Sequence, residues 1–322
     1  MSDPKLLPLF DRLNHNGGPQ APLESFEPAE KMGERFVRLG VLTEAQVAQV
    51  VQLQQAEQLR FGQAAVKLGF VTEERVQAVL AEQYRYDYAS AQQTDITLPI
   101  AAMPFGREAE AIRQIRAEIS IRLEELPRIA LAVVSPQDKE GRAYLSASLA
   151  IAFAQTGRRT LLVNANLRAS GQETLLGSAS GAGLSAILAG RAPAGESRAV
   201  PGFPALGVLD AGPQPPNPAE LLREPALGRV LAAYADQYEV FIVNTPPAAD
   251  SSDAQSIARQ VDACLLVARK DLTSLNALTR SADLLENAGA RVLGTVYNEY
   301  DPRGGRGWLA RLRSLLPARL RG

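Results

Sequence analysis

Short apolar runs alternate with segments of helical periodicity from residue 127 to about residue 300. The apolar runs lie at residues 129–134, 160–163, 205–209, 240–243, 263–267 and 291–296. Uniformly apolar strands that alternate with helices are typical of a parallel sheet covered on both faces. The first run leads through a loop into a helix predicted from Ala143 to Gln155, which is the geometry of a phosphate-binding loop. The pattern predicts an α/β domain with a mainly parallel sheet.

An internal repeat occupies the N-terminal part of the chain. Residues 32–44, MGERFVRLGVLTE, are echoed by residues 61–73, FGQAAVKLGFVTE. Each unit predicts a short helix, a turn that ends in glycine, and a second helix capped by Thr43 or Thr72. Two such units are expected to stack as a small helical domain.

These patterns divide the chain into five predicted parts. Residues 1–27, which mix Pro, Gly, Asn and Asp, are expected to form a flexible leader. The remaining parts are a helical tandem-repeat domain at residues 28–90, a linker at 91–104, an α/β domain at 105–300 that begins with an amphipathic helix, and a basic tail at 301–322.

Composition narrows the classes of function. Hydrophobic residues make up 46% and charged residues 21% of the 322, and the net charge of −1 gives no field that would favour nucleic acid. The single cysteine, Cys264, lies in an apolar run and is expected to be a buried strand thiol, while the single His15 has no second ligand nearby, so no metal site is expected. Because no apolar stretch reaches the ~18 residues that span a bilayer and no secretory signal is present, we expect a cytoplasmic protein.

Five segments carry a resemblance to a known family. They are SPQDKEGRAY at 135–144, TLLVNANLR at 160–168, GLSAILAG at 183–190, LDAGPQPPNPAELL at 209–222 and FIVNTPP at 241–247. Over about residues 105–300 the chain resembles the bacterial tyrosine autokinases of capsule and exopolysaccharide export. The resemblance implies a P-loop NTPase-like fold, and an inner-membrane polysaccharide co-polymerase, or chain-length determinant protein, as partner.

The loop departs from that family's pattern at its phosphate-handling positions. Arg142 stands where the family has the phosphate-binding lysine, and Ala143 stands where it has a magnesium-binding hydroxyl. An arginine keeps the charge but is planar and bulkier, and an alanine cannot bind a metal ion. Lys139 replaces a glycine that lets the backbone wrap the phosphate.

Asparagines replace the three aspartates that the resemblance assigns to magnesium binding or acceptor activation, at Asn164, Asn166 and Asn244. An amide lacks the negative charge that a hard dication needs and cannot act as a general base. We therefore expect a pseudokinase with no catalytic residues and no cofactor. The open alternatives are ATP or ADP held without magnesium, at Gly141, Arg142 and Asn298, and an active tyrosine autokinase that uses unusual residues.

The tyrosines that the resemblance implies as phosphate acceptors are also largely missing. Relatives end in a tyrosine cluster, whereas this chain has Tyr297 and Tyr300 and then no further tyrosine. The group at Tyr84, Tyr86 and Tyr88 is interpreted as packing after the repeat domain.

A third interpretation is a simple membrane-localising ATPase related to the division-site proteins. The segment GPQPPNP at 212–218, which matches the tyrosine autokinases, argues against it.

Two candidate binding surfaces remain in the α/β part and the tail. Glu110, Arg113 and Arg116 keep the family's Glu-x-x-Arg-x-x-Arg pattern, which implies a subunit interface and a homo-oligomer, with a solvated helix face as the alternative. The tail carries six arginines and an apolar stripe, Trp308, Leu309, Leu312, Leu315 and Leu316. It is expected to lie on the anionic inner membrane or to dock on a partner, with a frayed terminus as the alternative.

The repeat domain resembles the N-terminal domain of type II secretion and pilus ATPases, some of which bind cyclic di-GMP. Five residues, 55–59, separate the two units, as in that family. Lys31 and two other changes depart from its motif, and a protein-docking module is the alternative. The positions that the resemblance assigns to cyclic di-GMP are Lys31, Gly33, Gly40, Gln54, Arg60, Gly62, Gly69 and Gln83.

Overall fold

The computed structural model describes residues 31–83, 96, 98–168, 175–177 and 181–299. Two compact units divide the chain between Val79 and Leu80. The predicted leader, His15, the tyrosines at 84, 86, 88 and 300, and the basic tail lie outside the described residues. The five-part division of the chain stays a prediction.

The first unit consists of two helix–turn–helix repeats. Its helices are α1 (Met32–Arg38), α2 (Glu44–Glu57), α3 (Phe61–Lys67) and α4 (Glu73–Gln83), and the end of α4 passes the boundary at Val79. Thr43 caps α2 by accepting from the N–H of Gln46 at 3.3 Å, and Thr72 accepts from the N–H of Arg75 at 3.3 Å. Gly40 and Gly69 end the first helix of each repeat with φ of 65° and 71°, which confirms the predicted repeat.

Two glycines allow the helices of each repeat to approach closely. A Cβ atom at Gly33 would lie 2.8 Å from Cγ1 of Val47, and one at Gly62 would lie 2.6 Å from Cγ1 of Val76. Both distances are shorter than real Cβ contacts allow, so a larger residue at either position would push a helix away. The two glycines are therefore packing residues of the repeat fold.

The second unit is built on one seven-stranded sheet. Its strands are β1 (Ile129–Val134), β2 (Thr160–Asn164), β3 (Arg198–Val200), β4 (Phe203–Leu209), β5 (Val240–Asn244), β6 (Ala263–Arg269) and β7 (Val292–Asn298). They lie in the spatial order β3-β4-β2-β5-β1-β6-β7, and all are parallel to their neighbours except for the antiparallel pair β3–β4. The mainly parallel α/β sheet is confirmed. Strand β3 was not predicted, because it has only three residues, of which Val200 alone is buried, and they give no apolar run.

Helices cover both faces of the sheet. They are α5 (Pro99–Ala102), α6 (Arg107–Arg122), α7 (Arg142–Ala154), α8 (Gly183–Leu188), α9 (Pro218–Leu221), α10 (Ala226–Ala233), α11 (Asp253–Ala258) and α12 (Leu275–Asn287). Alternate residues of β1 enter different cores: Leu131 and Val133 pack on the face with α6 and α7, and Ala132 and Val134 on the other. Burial of every residue of β2 and β5 explains their unbroken apolar runs.

The structure also locates the single cysteine and part of the predicted linker. Cys264 lies buried in β6, as predicted, and burial raises the pKa of its thiol to about 12. Ile100 and Ala101, inside the predicted linker, are buried with Leu131 in one core, so this part of the linker contributes to the packed domain. None of the helices within the described ranges is long and apolar enough to cross a bilayer.

Candidate functional site

The loop between β1 and α7 lies at the carboxyl ends of the central strands. Strand β1 is flanked by β5 and β6, so residues 135–141 meet the ends of both neighbours. In open parallel sheets this edge is where ligands bind, and the loop leads directly into the N-terminus of a helix. The scaffold of a phosphate-binding loop is therefore present.

The guanidinium of Arg142 fills the inside of this loop. Its Nη1 donates to Oγ of Ser135 at 2.6 Å and to the carbonyl of Gln137 at 2.7 Å, and its Nε donates to the carbonyl of Thr245 at 3.0 Å. Its Nη2 forms an ion pair with Asp138 Oδ1 at 2.9 Å. Only 8% of the Arg142 side chain is exposed. A phosphate could enter this space only by displacing a guanidinium that already has four acceptors.

A buried carboxylate takes up a backbone donor of the same loop. Oε2 of Glu140 accepts from the N–H of Gln137 at 2.7 Å, and Oε1 accepts from the hydroxyl of Thr273. Glu140 is fully buried. Because a phosphate-binding loop presents its N–H groups to the ligand, a carboxylate on one of them works against anion binding.

Lys139 has the backbone conformation of a glycine. Its φ is 63°, in the left-handed region, which supports the inference that a glycine suits this position better. Its carbonyl accepts from Nη1 of Arg269 at 2.9 Å, and Nε of Arg269 pairs with Glu299 at 2.8 Å. The strained residue is thus fixed from strand β6.

Gly141 and Asn298 are brought together, as expected for one pocket. Gly141 has φ of 101°, and Nδ2 of Asn298 lies only 2.1 Å from where a Cβ on Gly141 would be. The same Nδ2 donates to the carbonyl of Glu140 at 3.1 Å. Binding of a nucleotide by Gly141, Arg142 and Asn298 stays the open alternative to the expected loss of binding. The amide of Asn298 is engaged with the loop itself.

The three asparagines cluster at the ends of β2 and β5. Oδ1 of Asn164 accepts from Nδ2 of Asn244 at 3.1 Å and from the N–H of Asn166 at 3.3 Å. Oδ1 of Asn166 accepts from the N–H of Arg168 at 3.4 Å. Oδ1 of Asn244 is buried and has no partner among the described residues. Each asparagine is less than 10% exposed.

This donor set does not fit a magnesium ion. Magnesium prefers carboxylate oxygens and water in octahedral geometry, whereas this place offers neutral amides, one of which points an N–H at its neighbour's oxygen. Ala143, exposed at the start of α7, has no oxygen on its side chain to contribute. Within the described ranges, no group of three His, Cys, Asp or Glu side chains could hold a metal ion.

One ion pair beside the asparagines was missed by the sequence reasoning. Arg168 binds Asp253 with two bonds, Nε to Oδ2 at 2.6 Å and Nη2 to Oδ1 at 3.0 Å, and Asp253 is fully buried at the start of α11. The hydrogen bond to the Asp253 carboxylate raises the pKa of Arg168. An acidic residue 85 positions away gave no local signal, so only the fold reveals the partner.

The Glu-x-x-Arg-x-x-Arg residues have partners within the same unit. Nη2 of Arg113 pairs with Oε2 of Glu110 at 2.8 Å along α6. Nη1 of Arg116 donates to the carbonyl of Ala152 at 3.0 Å, in the last turn of α7. Their role at a subunit interface stays a prediction.

The cyclic di-GMP positions are partly explained by the fold. Gly33 and Gly62 are buried against valines, and Gly40 and Gly69 end helices, so all four serve the repeat itself. Lys31 and Arg60 are exposed at equivalent positions before α1 and α3, and Gln54 is partly buried. The side chain of Gln83 lies outside the described residues. Cyclic di-GMP binding, and the likeness to secretion ATPases, stay predictions.

Comparisons with known proteins agree with the fold and the motifs. The chain is 29% identical over 211 residues to the putative tyrosine-protein kinase CapB of Staphylococcus aureus, covering 66% of this chain and 92% of CapB. It is 31% identical over 195 residues to the tyrosine-protein kinase Etk of Escherichia coli, covering 61% of this chain and 27% of Etk. It thus spans about a quarter of the length of Etk. No family model matches the chain.

Solved structures give the same result. The kinase domain of Escherichia coli Etk matches with a TM-score of 0.60 at 28% identity, covering 66% of this chain and 86% of that domain. The chimeric protein CapA2B2 shares the fold, with a TM-score of 0.58 at 24% identity over 70% of this chain and 99% of that one. The homologues of this chain are bacterial tyrosine-protein kinases, and its sheet has the fold of their kinase domains.

Proposed function

We propose that this chain is a tyrosine-kinase-like protein that does not transfer phosphate and regulates exopolysaccharide or capsule synthesis and export by binding. The observation that carries this proposal is the guanidinium of Arg142, which occupies the space inside the phosphate loop. Phosphoryl transfer depends on positioning and on electrostatic stabilisation of the phosphates. A loop whose cation is turned inward and paired with Asp138 supplies neither.

The Asn164–Asn244 amide pair supports the same conclusion independently. It leaves no carboxylate where a dication would be held or where a general base would accept the proton of an acceptor hydroxyl. Catalytic groups are replaced at two separate places, while the sheet of the kinase fold is retained. This combination favours a protein that acts as a scaffold. The partner that the homology suggests is an inner-membrane polysaccharide co-polymerase, and cyclic di-GMP is a candidate signal for residues 31–83.

A phosphotransfer assay with labelled ATP and Mg²⁺ tests the proposal. We expect no label on the wild-type protein or on an added tyrosine peptide, also at long incubation. The matched variant restores the motif at five positions, Arg142→Lys, Ala143→Thr, Asn164→Asp, Asn166→Asp and Asn244→Asp. Label on wild-type tyrosine would establish the alternative, an active autokinase.

Binding to the co-polymerase is tested separately. The purified protein should be retained by the cytoplasmic segments of a co-polymerase, and the five-position variant should be retained equally, because binding does not need the chemistry. Failure of retention for both proteins, with the fold intact, would refute the partner while leaving the loss of phosphotransfer untouched.

A further inference from the structure

The segment that connects β5 to α11, residues 245–252, lies at the carboxyl edge of the sheet. Residues 245–248 are buried, and so is Asp253, the first residue of α11. Between these buried ends, Ala249, Asp250 and Ser252 are exposed. The shape of this exposed stretch therefore depends on how the two ends of the segment are held.

Backbone hydrogen bonds hold the first end of the segment. The N–H groups of Ala248 and Ala249 donate to the carbonyls of Ser135 and Pro136 at 2.9 and 3.0 Å. Both acceptors belong to the loop between β1 and α7. The first end is thus fixed to the neighbouring loop by main-chain contacts.

An ion pair holds the second end from the opposite side. Two bonds of 2.6 and 3.0 Å join the guanidinium of Arg168, in the loop after β2, to the carboxylate of Asp253. The carboxylate is fully buried, and the N–H of Asp253 donates to Oγ of Ser251 at 3.3 Å. Because a bidentate pair fixes direction as well as distance, Arg168 determines where the segment ends and α11 begins.

Arg168 is itself held by its main chain. Its N–H donates to Oδ1 of Asn166 at 3.4 Å, and its carbonyl accepts from Nε2 of Gln214 at 3.0 Å. The N–H of Asn166 donates in turn to Oδ1 of Asn164 at 3.3 Å. A continuous series of hydrogen bonds therefore connects the exposed segment to the asparagine cluster.

We propose that Arg168 is a positioning residue that holds residues 245–252 in one conformation. In GTPases, switch segments are ordered by the γ-phosphate and its Mg²⁺ and are released on hydrolysis. Here a side chain of the protein supplies the order, so a partner that binds residues 249–252 meets the same surface with or without nucleotide. The role of this surface in partner binding rests on the proposed function, whereas the order of the segment does not.

Hydrogen exchange at the amides of Ala248, Ala249 and Asp253 measures how often the segment opens. In the wild-type protein these amides should be protected, and Mg²⁺-ATP should leave their exchange rates unchanged. Arg168→Met removes the cation, and the three amides should then exchange at least about tenfold faster.

Asp253→Ala breaks the same ion pair from the other side. This variant leaves no unpaired charge in the core, so an equal acceleration would assign the effect to the lost pair rather than to a buried carboxylate. It decides alone if Arg168→Met does not fold.

The matched control is Arg198→Met, which breaks another arginine–aspartate pair of the same sheet. Nε and Nη2 of Arg198 donate to the buried carboxylate of Asp210 at 3.1 and 3.3 Å. This pair joins β3 to the end of β4, so the control should leave the three amides protected.

Four results would overturn the inference. Unprotected amides in the wild type would show that the segment is not held, and unchanged rates in Arg168→Met and Asp253→Ala would show that the pair does not hold it. Equal acceleration in Arg198→Met would reduce the effect to a general loss of stability. Slower exchange on addition of Mg²⁺-ATP would show that nucleotide orders the segment.

Discussion

Asn244 donates from Nδ2 to Oδ1 of Asn164 across 3.1 Å, and the two residues are register partners at the ends of β5 and β2. Two carboxylates at this separation would repel each other unless a cation or a proton lay between them. Two amides form a hydrogen bond instead. The pair is therefore stable in the absence of the dication that relatives with aspartates are inferred to need.

Restoring both carboxylates should make the fold depend on a cation. The double variant Asn164→Asp/Asn244→Asp is expected to lose ~3 kcal/mol of unfolding free energy at neutral pH without Mg²⁺, because two charges are buried without compensation. Acidification should return part of this stability, since a proton shared by the pair removes the repulsion. Urea denaturation with and without Mg²⁺, each at neutral and at acid pH, measures both effects.

The single variant Asn164→Asp serves as the control. Nδ2 of Asn244 can still donate to the new carboxylate, so its loss of stability should be smaller than that of the double variant. A double variant as stable as the wild type in EDTA would contradict this account of the pair.

Gly141 is predicted to be intolerant of a side chain. Gly141→Ala meets both the left-handed φ of 101° and the amide of Asn298, and should cost more than the ~1–2 kcal/mol of the conformation alone. The matched control is Gly228→Ala in α10, where a Cβ has open space and the helix should gain ~1 kcal/mol. Thermal unfolding of both variants measures the two changes in stability. A Gly141→Ala variant as stable as the wild type would refute the packing of Asn298 on this loop.

Substitutions at the glycines of the N-terminal repeat should be energetically coupled to substitutions at the valines that pack against them. Gly62→Ala alone pushes against Cγ1 of Val76, and Val76→Ala alone leaves a cavity, but the two changes together relieve the contact. A double-mutant cycle in unfolding free energy should give a coupling of ~1 kcal/mol or more. The equivalent cycle at Gly33 and Val47 should agree in sign. Additive losses would show that the glycines are kept for another reason, such as ligand approach.

Cys264 predicts a loss of stability at alkaline pH. Its thiol has a pKa raised by burial from 9.0 to about 12, so the thiolate forms above pH 9 only in the unfolded chain. The contribution of this thiol to the free energy of unfolding is complete below pH 9 and falls by ~1.4 kcal/mol per pH unit until pH 12. Comparison of the wild type with Cys264→Ala by urea denaturation from pH 8 to 10.5 isolates this contribution. Parallel pH profiles would contradict it.

The sequence predicted the fold where the signal was local. Unbroken apolar runs located β1, β2, β5 and β6, and the Thr43 and Thr72 caps located helices, because both depend on neighbouring residues. It did not predict β3 or the core position of Ile100, which depend on distant packing. The substitutions at Arg142 and Asn244 were visible in the sequence.

What those substitutions do instead was not visible. The sequence indicated a bulky cation at Arg142, but not that its guanidinium turns inward to Ser135 and Gln137. Glu140 was not identified either, although it binds the loop from within, since its partner Thr273 is 133 positions away. Long-range hydrogen bonds of this kind depend on the three-dimensional fold and have no local pattern.

Calorimetric titration of the wild-type protein with ATP, with and without Mg²⁺, tests most directly whether the Arg142 guanidinium excludes triphosphate from the loop. We predict no saturable binding at micromolar ATP and no effect of Mg²⁺. Micromolar binding that Mg²⁺ tightens tenfold or more would show that the guanidinium yields to the phosphates, and would contradict the account.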